Sequence, residues 1–293
     1  AKLSSEYDKI TSGIIKELIP DEVDTPIPFL IEPYIVQESG TIFFGPPGKG
    51  KSWTAMLMAV SIDSGSSKIF NVKRSAPVLY VNLERSEASM SRRLAKVNSA
   101  LGLERSRKLK AINLRGYTLI DTIDAIKSGV LAYDFGLVIV DSMSRSGAAD
   151  LNSNSDANKI MDLLNSLQVS WMIIAHTPRA DDSHIYGSIM QEAAADVVVG
   201  IKSKSVDIGK MLVSLRVEKA NEFEAPAVGS WIYSMNSYGL VNVEVSRETI
   251  TLGVDHLATI QQFLIENGEA TTAEIAASTG IHRTTVSSEL NNT

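Results

Sequence analysis

At 293 residues the chain is longer than a typical single domain and shorter than two full ones, so one core domain with a small appendage is expected. Hydrophobic residues at 44% and charged residues at 21% exclude a mainly disordered, collagenous or disulfide-scaffold protein, and no apolar run reaches the roughly 18 residues of a membrane-spanning helix. A net charge of -6 excludes a uniformly basic nucleic-acid binder and leaves such contact to local loops; zero cysteines exclude disulfides and thiol chemistry and, with no apolar leader in the first residues, set a cytoplasmic location as the expectation.

Residues 1–25 mix Ser, Lys, Glu and Asp, and Pro26, Pro28 and Pro33 follow. This predicts a polar lead-in and an extended segment, with the compact fold starting near residue 26. From there short apolar runs alternate with helical patterns. Residues 41–45 predict a strand and a helix starts at Lys51; residues 78–83 predict the next strand, before a helix with Met90, Leu94, Val97 and Leu101 on one face. Strands at 111–114, 137–140 and 171–175 continue the series, separated by a helix around 118–130 and another through Ile160, Leu163, Leu164 and Leu167. Near-continuous apolar strands in βαβ order predict a parallel sheet covered on both faces. After a Gly-Ser turn at Gly187, residues 197–245 predict three or four strands without helices between them, an antiparallel extension that ends the core near residue 250. Residues 146–158, rich in Ser, Asn, Asp, Ala and Gly, predict a mobile loop.

Residues 256–293 change character. Leu257, Ile260, Phe263 and Leu264 make one helical stripe, and Thr271-Thr272-Ala273-Glu274 has the form of a capping box that starts a second helix. Residues 275–286 resemble a helix-turn-helix, with Gly280 in the turn and Val286 and Leu290 facing inward. Glu266, Glu269, Glu274 and Glu289 stand against Arg283 alone, a net charge of -3, which is poor for duplex phosphates, although Thr284, Thr285, Ser287 and Ser288 offer hydroxyls. Duplex DNA, a protein partner and an inert terminal bundle all remain open readings of this unit.

Gly45-Pro46-Pro47-Gly48-Lys49-Gly50-Lys51-Ser52 has the spacing of a phosphate-binding P-loop and lies between a predicted strand and a predicted helix, with Trp53 next in the chain. Glycines let the backbone curl so that its N–H groups and the helix N-terminus surround phosphates; Lys51 reaches the β- and γ-phosphates and the Ser52 hydroxyl holds Mg²⁺, so ATP and Mg²⁺ are the expected ligands. Asp141, ending the run Leu137-Val138-Ile139-Val140, is the expected second metal element, the competing reading being a turn or cap residue. Position 142 is Ser, so a water-activating carboxylate must come from elsewhere. Glu84 ends the strand 78–83, which places it at the same carboxyl edge of a parallel sheet; otherwise it is a residue favourable to a helix dipole.

These motifs, with Arg92-Arg93-Leu94, residues 137–145, Ile173-Ile174-Ala175-His176-Thr177 and Val217-Glu218-Lys219-Ala220-Asn221, resemble the RecA-type P-loop ATPases over residues 30–245, and within them the RepA-like and DnaB-like hexameric helicase branch. The resemblance implies an α/β fold, a RecA-like core (26–250) with a mostly parallel twisted sheet and antiparallel extension, to which the residue pattern of 256–293 adds a small winged-helix-like C-terminal unit. It implies that Glu84 is the general base, that His176 senses the γ-phosphate, and that Arg93 lies near the adenine. Arg216 and Lys219 match the basic residues a neighbouring subunit contributes, with exposed edge-strand charges as the competing reading. The implied partners are further copies of this chain in a hexamer and single-stranded nucleic acid, in plasmid, phage or mobile-element replication. The channel loops would be 142–158 and 177–188, whose Arg145, Arg179, His184 and Tyr186 face Asp150, Asp156, Asp181 and Asp182, a weakly basic set. A RadA-like recombination ATPase and a nucleotide-switched DNA-binding regulator are the alternatives.

Overall fold

The computed structural model describes residues 20, 23–178, 184–250, 256–279, 281 and 283–291. Strands β1 (Phe29–Glu32), β2 (Ile35–Val36) and β3 (Gly40–Gly45) come first, followed by helix α1 (Lys51–Ser64), strands β4 (Asn71–Val72) and β5 (Val78–Asn82) and helix α2 (Glu87–Ala100). Strand β6 (Lys110–Asn113), helix α3 (Leu119–Tyr133) and strand β7 (Leu137–Asp141) follow. A 3-10 turn (Met143–Arg145) leads to helix α4 (Asn154–Asn165), strand β8 (Ser170–His176) and the short helix α5 (Met190–Ala194). Four strands then run without intervening helices: β9 (Val197–Asp207), β10 (Lys210–Ala220), β11 (Gly229–Asn236) and β12 (Gly239–Val245).

Nine of these strands form one sheet in the order β12-β11-β10-β9-β3-β8-β7-β5-β6. Pairing is parallel from β9 through β3, β8, β7 and β5 to β6, and antiparallel from β9 out to β12. The predicted α/β core with an antiparallel extension is therefore present. Strands β3, β5 and β7 are buried at every position, which is why their sequences are almost continuously apolar. Successive side chains alternate between two cores. Phe43, Tyr80, Ile139 and Met172 pack with Met56, Leu57, Met90 and Val97 of α1 and α2. Ile42, Val81, Val138 and Ile173 pack with Ile123, Ile126, Ile160 and Leu164 of α3 and α4.

Several expectations need correction. The proline-rich stretch after residue 26 is more than an extended lead-in: β1 pairs with β2 and β4 in a separate antiparallel sheet that buries Leu30, Ile31 and Ile35. Its strands are too short for period-2 patterning to reveal. The predicted loop 146–158 is helical from Asn154, because the Ser153 hydroxyl accepts from the Asp156 amide and caps α4. Ser146, at the start of that stretch, is buried. Helix α4 ends at Asn165, short of Leu167, which is buried all the same.

At the C-terminus, helices α6 (His256–Asn267), α7 (Thr272–Thr279) and α8 (Arg283–Asn291) share a small core of Ile260, Ile275, Ile281 and Val286. The capping box forms: Glu274 N–H donates to Thr271 Oγ1 at 3.3 Å, and Thr271 N–H donates to Glu274 Oε2 at 2.8 Å. Leu290, expected to face inward, is 36% exposed, whereas Val286, one turn earlier on α8, is buried. Residues 1–19 of the lead-in, Arg179, Asp181, Asp182, Gly280 and the side chains of Leu257, Thr285, Ser288 and Glu289 lie outside the described residues. Among the described residues no helix is long and apolar enough to cross a membrane.

The start of β3 depends on having no side chain at Gly40. A Cβ there would lie 2.0 Å from Trp171 Cζ2, and Trp171 is fixed by its indole N–H donating to Asn165 Oδ1 at 3.0 Å. Gly40→Ala should therefore destabilise the fold by about 1–3 kcal/mol in urea unfolding, on the usual scale for overpacking. Adding Trp171→Phe should recover part of that loss, giving a coupling energy that two independent sites would not show.

Candidate active site

Between β3 and α1 the chain turns through Gly48 and Gly50, whose φ of +76° and +94° fall in the left-handed region that glycine adopts without penalty. The first internal bond of α1 is Thr54 N–H to Gly50 O, at 2.9 Å, so the amides of Lys51, Ser52 and Trp53 have no acceptor within the helix. No side chain caps this end and no acidic residue occupies the first turn. The helix dipole and these amides together favour an anion.

A cavity of about 420 Å³ opens here, lined by Pro47, Gly48, Gly50, Lys51, Ser52, Trp53, Glu84, Arg93, Asp141 and His176 from the sequence-predicted set. The parallel register brings them together, because β3, β5, β7 and β8 all end at the same edge. Gly45 pairs with His176 and Asn82 with Asp141 across the sheet. The remaining predicted P-loop residues do not line the cavity. Gly45 and Pro46 contribute carbonyls that accept from Lys51 Nζ at 2.5 and 2.8 Å, and Lys49 Nζ turns away to donate to Ser203 O at 3.3 Å.

Burial drives the electrostatics. It lowers Lys51 to about 8, against the opposing pull of Asp141 and Glu84. Lys51 Nζ also sits 3.2 Å from His176 Nδ1, and burial together with that ammonium keeps His176 below its ordinary value, so the ring is neutral near pH 7. Burial and the nearby Glu84 raise Asp141, opposed by hydrogen bonds from Ser52 and Tyr80, whose hydroxyl donates to Asp141 Oδ2 at 2.9 Å. Burial also pushes Glu84 up, but the hydroxyls of Ser142 and Ser144, with His176 and Arg85, outweigh it and leave the carboxyl below its usual range.

Sequence reasoning missed several residues that line or support the cavity. Arg85 directly follows Glu84, a signal that was available. Tyr80 lies two residues before Asn82 on β5, and only the sheet register shows that it reaches Asp141. Met211 and Met235 come from the β9–β10 and β11–β12 hairpins, with no local signal. The Arg93 guanidinium lies over the Trp53 ring, 4.4 Å from its centroid. Arg216 and Lys219 do not line the cavity. Arg216 is half-exposed beside Glu218, at 3.6 Å, and Lys219 Nζ donates to the carbonyls of Glu192, Ala193 and Ala195 at the end of α5.

The residues fit a magnesium nucleotide. Arg85 Nε and Arg93 Nη1 are buried and have no hydrogen-bond partner among the described residues, which suits an anionic ligand beside them. Ser52 and Asp141 offer hard oxygen donors. Among the described residues no group of three or more His, Cys, Asp or Glu side chains could hold a metal by itself, so such an ion would take phosphate oxygens as further ligands.

A P-loop opening a helix, a buried aspartate on a nearby strand and a mostly parallel sheet define a P-loop ATPase of RecA-like fold. The family model described as AAA domain matches residues 20–182, more than half of the sequence, and the chain belongs to that family. Among solved structures it is similar to a KaiC-like protein from the hyperthermophilic archaeon Pyrococcus horikoshii, with a TM-score of 0.53 and 16% identity over 77% of this chain and 99% of that one. No curated protein matches the sequence.

The lowered Lys51 value sets a pH dependence. Above about pH 8 the free protein loses this ammonium, so kcat/KM for MgATP should fall there, as kcat/KM reports free-enzyme ionisations. Bound phosphates would restore the charged form, so kcat should hold to higher pH. Initial rates across neutral and alkaline pH check both limbs.

Proposed function

We propose that the protein is a ring-forming Mg-ATPase that couples hydrolysis to movement along single-stranded nucleic acid, in the replication of a plasmid, phage or mobile element. Residues 26–250 form its ATPase unit and residues 256–293 a C-terminal helix-turn-helix unit. The carrying observation is a physical link between the hydrolysis groups and the loops at the same sheet edge. Tyr186 N–H donates to His176 O at 2.7 Å, and Ser188 N–H and Gln191 Nε2 donate to Leu151 O at 2.8 and 3.2 Å. A ligand pressing on either loop thus acts on the backbone of His176.

In this reading Lys51 exchanges the carbonyls of Gly45 and Pro46 for the β- and γ-phosphates, a move its low value makes inexpensive. Ser52 and Asp141 would hold Mg²⁺, which when bound neutralises charge on the phosphate oxygens. Glu84 accepts a proton from the attacking water, and its depressed value keeps it ionised and ready near pH 7. His176, neutral and beside Lys51, is placed to respond to γ-phosphate loss. Arg93 lies at the adenine end. Arg216 completes the site of the next subunit; Lys219, already engaged by three carbonyls, holds the end of α5 in place.

Lys51→Ala should abolish hydrolysis and greatly weaken ATP binding, whereas Glu84→Gln should retain binding and lose roughly 10²-fold or more in turnover. Nucleotide titration alongside steady-state rates separates the two. Mixed assemblies test the ring: Arg216→Ala and Lys51→Ala proteins, each inactive, should partly recover activity when combined, because some interfaces pair an intact P-loop with an intact Arg216. No recovery in proven mixed assemblies places Arg216 outside catalysis. Single-stranded DNA should raise the ATPase rate of a discrete oligomer of measured mass. A filament on that DNA would favour the RadA-like reading, and a fixed duplex footprint without movement the regulator.

A further inference from the structure

The Glu84 carboxylate is held by one oxygen only. Ser142 Oγ donates to Glu84 Oε1, and Ser144 Oγ lies 3.0 Å from the same atom. The two hydroxyls are 2.8 Å apart. Two hydroxyl protons thus serve three oxygen contacts, so the serines either both donate to Oε1 or pass one donation through the other; Oε1 is bonded in each case. Glu84 Oε2 makes no hydrogen bond among the described residues. The turn that carries the hydroxyls is anchored by buried residues and backbone hydrogen bonds. Met143 and Ser146 are each 2% exposed, Arg145 N–H donates to Ser142 O at 3.0 Å, Ser146 N–H to Met143 O at 2.9 Å, and Ile120 N–H to Ser146 O at 3.1 Å.

We propose that Ser142 and Ser144 are positioning residues for hydrolysis, fixing Glu84 by Oε1 so that Oε2 faces the attacking water. This rests on Glu84 being the base. The same hydroxyls also make Glu84 a weaker base, so magnitudes must decide their net effect. Removing the donors would make Glu84 a stronger base, but only a fraction of such a gain reaches the rate. A reacting group misplaced by about 1 Å costs about 10²-fold. Orientation therefore outweighs basicity. The arrangement also answers a question posed by the sequence: with no carboxylate directly after Asp141, the turn following β7 supplies hydroxyls that orient a carboxylate from β5.

The test is steady-state hydrolysis by the full-length protein. Ser142→Ala, Ser144→Ala should lower kcat by about 10- to 10²-fold with KM within about twofold, and fluorescent-nucleotide binding checks that the site still folds. Ser144→Ala alone should lose less, and Ser144→Thr, which keeps the hydroxyl, should restore most of that loss. In a Glu84→Gln background the serine substitutions should add little, because they act through the carboxylate they no longer orient. An unchanged or raised kcat in the double variant overturns the proposal, as does an equally large fall in the Glu84→Gln background. Near-normal turnover by Glu84→Gln alone would remove the base assignment itself, a result distinct from either of those.

Discussion

Lys51 is a buried lysine at the base of the cleft, and the neighbouring groups answer its charge. Two P-loop carbonyls hold it, Asp141 and Glu84 stabilise it from farther away, and His176 stays neutral beside it. Removing water makes each of these interactions stronger than it would be on the surface and makes an uncompensated charge costly. A cation in such a setting is incompletely satisfied by dipoles alone. A phosphate supplies the missing negative charge, which is why this cleft suits a nucleotide better than a neutral ligand.

The sheet makes that convergence possible. Parallel strands point the same way, so chemistry placed just after β3, β5, β7 and β8 gathers at one edge although the residues lie far apart in the chain. The alternation of interior side chains between the two cores leaves the carboxyl ends of the parallel strands as the place where the charged groups of the site gather. The antiparallel strands contribute differently. Their hairpins bring Met211 and Met235 to the rim, beside the stacked pair of Trp53 and Arg93, and give the cleft an apolar shoulder next to its charged floor.

Two groups at that edge are also tied to loops. Glu84 is bonded to the turn after β7, His176 through its backbone to the segment after β8, and the two segments meet at Leu151. The loops that emerge beside the cleft are therefore continuous with the groups inside it. The Lys219 side chain shows the opposite case, a charge that sequence pattern alone marks as available and that the fold spends on the end of a five-residue helix.

By itself the sequence determined the features that depend on neighbours in the chain. The P-loop spacing between a strand and a helix, the apolar strands with Asp141 and His176 at their ends, the capping box at Thr271 and the order of elements are all local patterns, and local patterns survive in one dimension. What tertiary structure alone decided is which distant atoms meet. That Tyr80 reaches Asp141, that Ser142 and Ser144 share one oxygen of Glu84, that Ser153 turns a polar stretch into a helix start and that Lys219 is already engaged all depend on register and side-chain direction. A shift of one residue in a strand reverses which face a side chain occupies, so these contacts are fixed by packing across the sheet and cannot be read from composition or spacing.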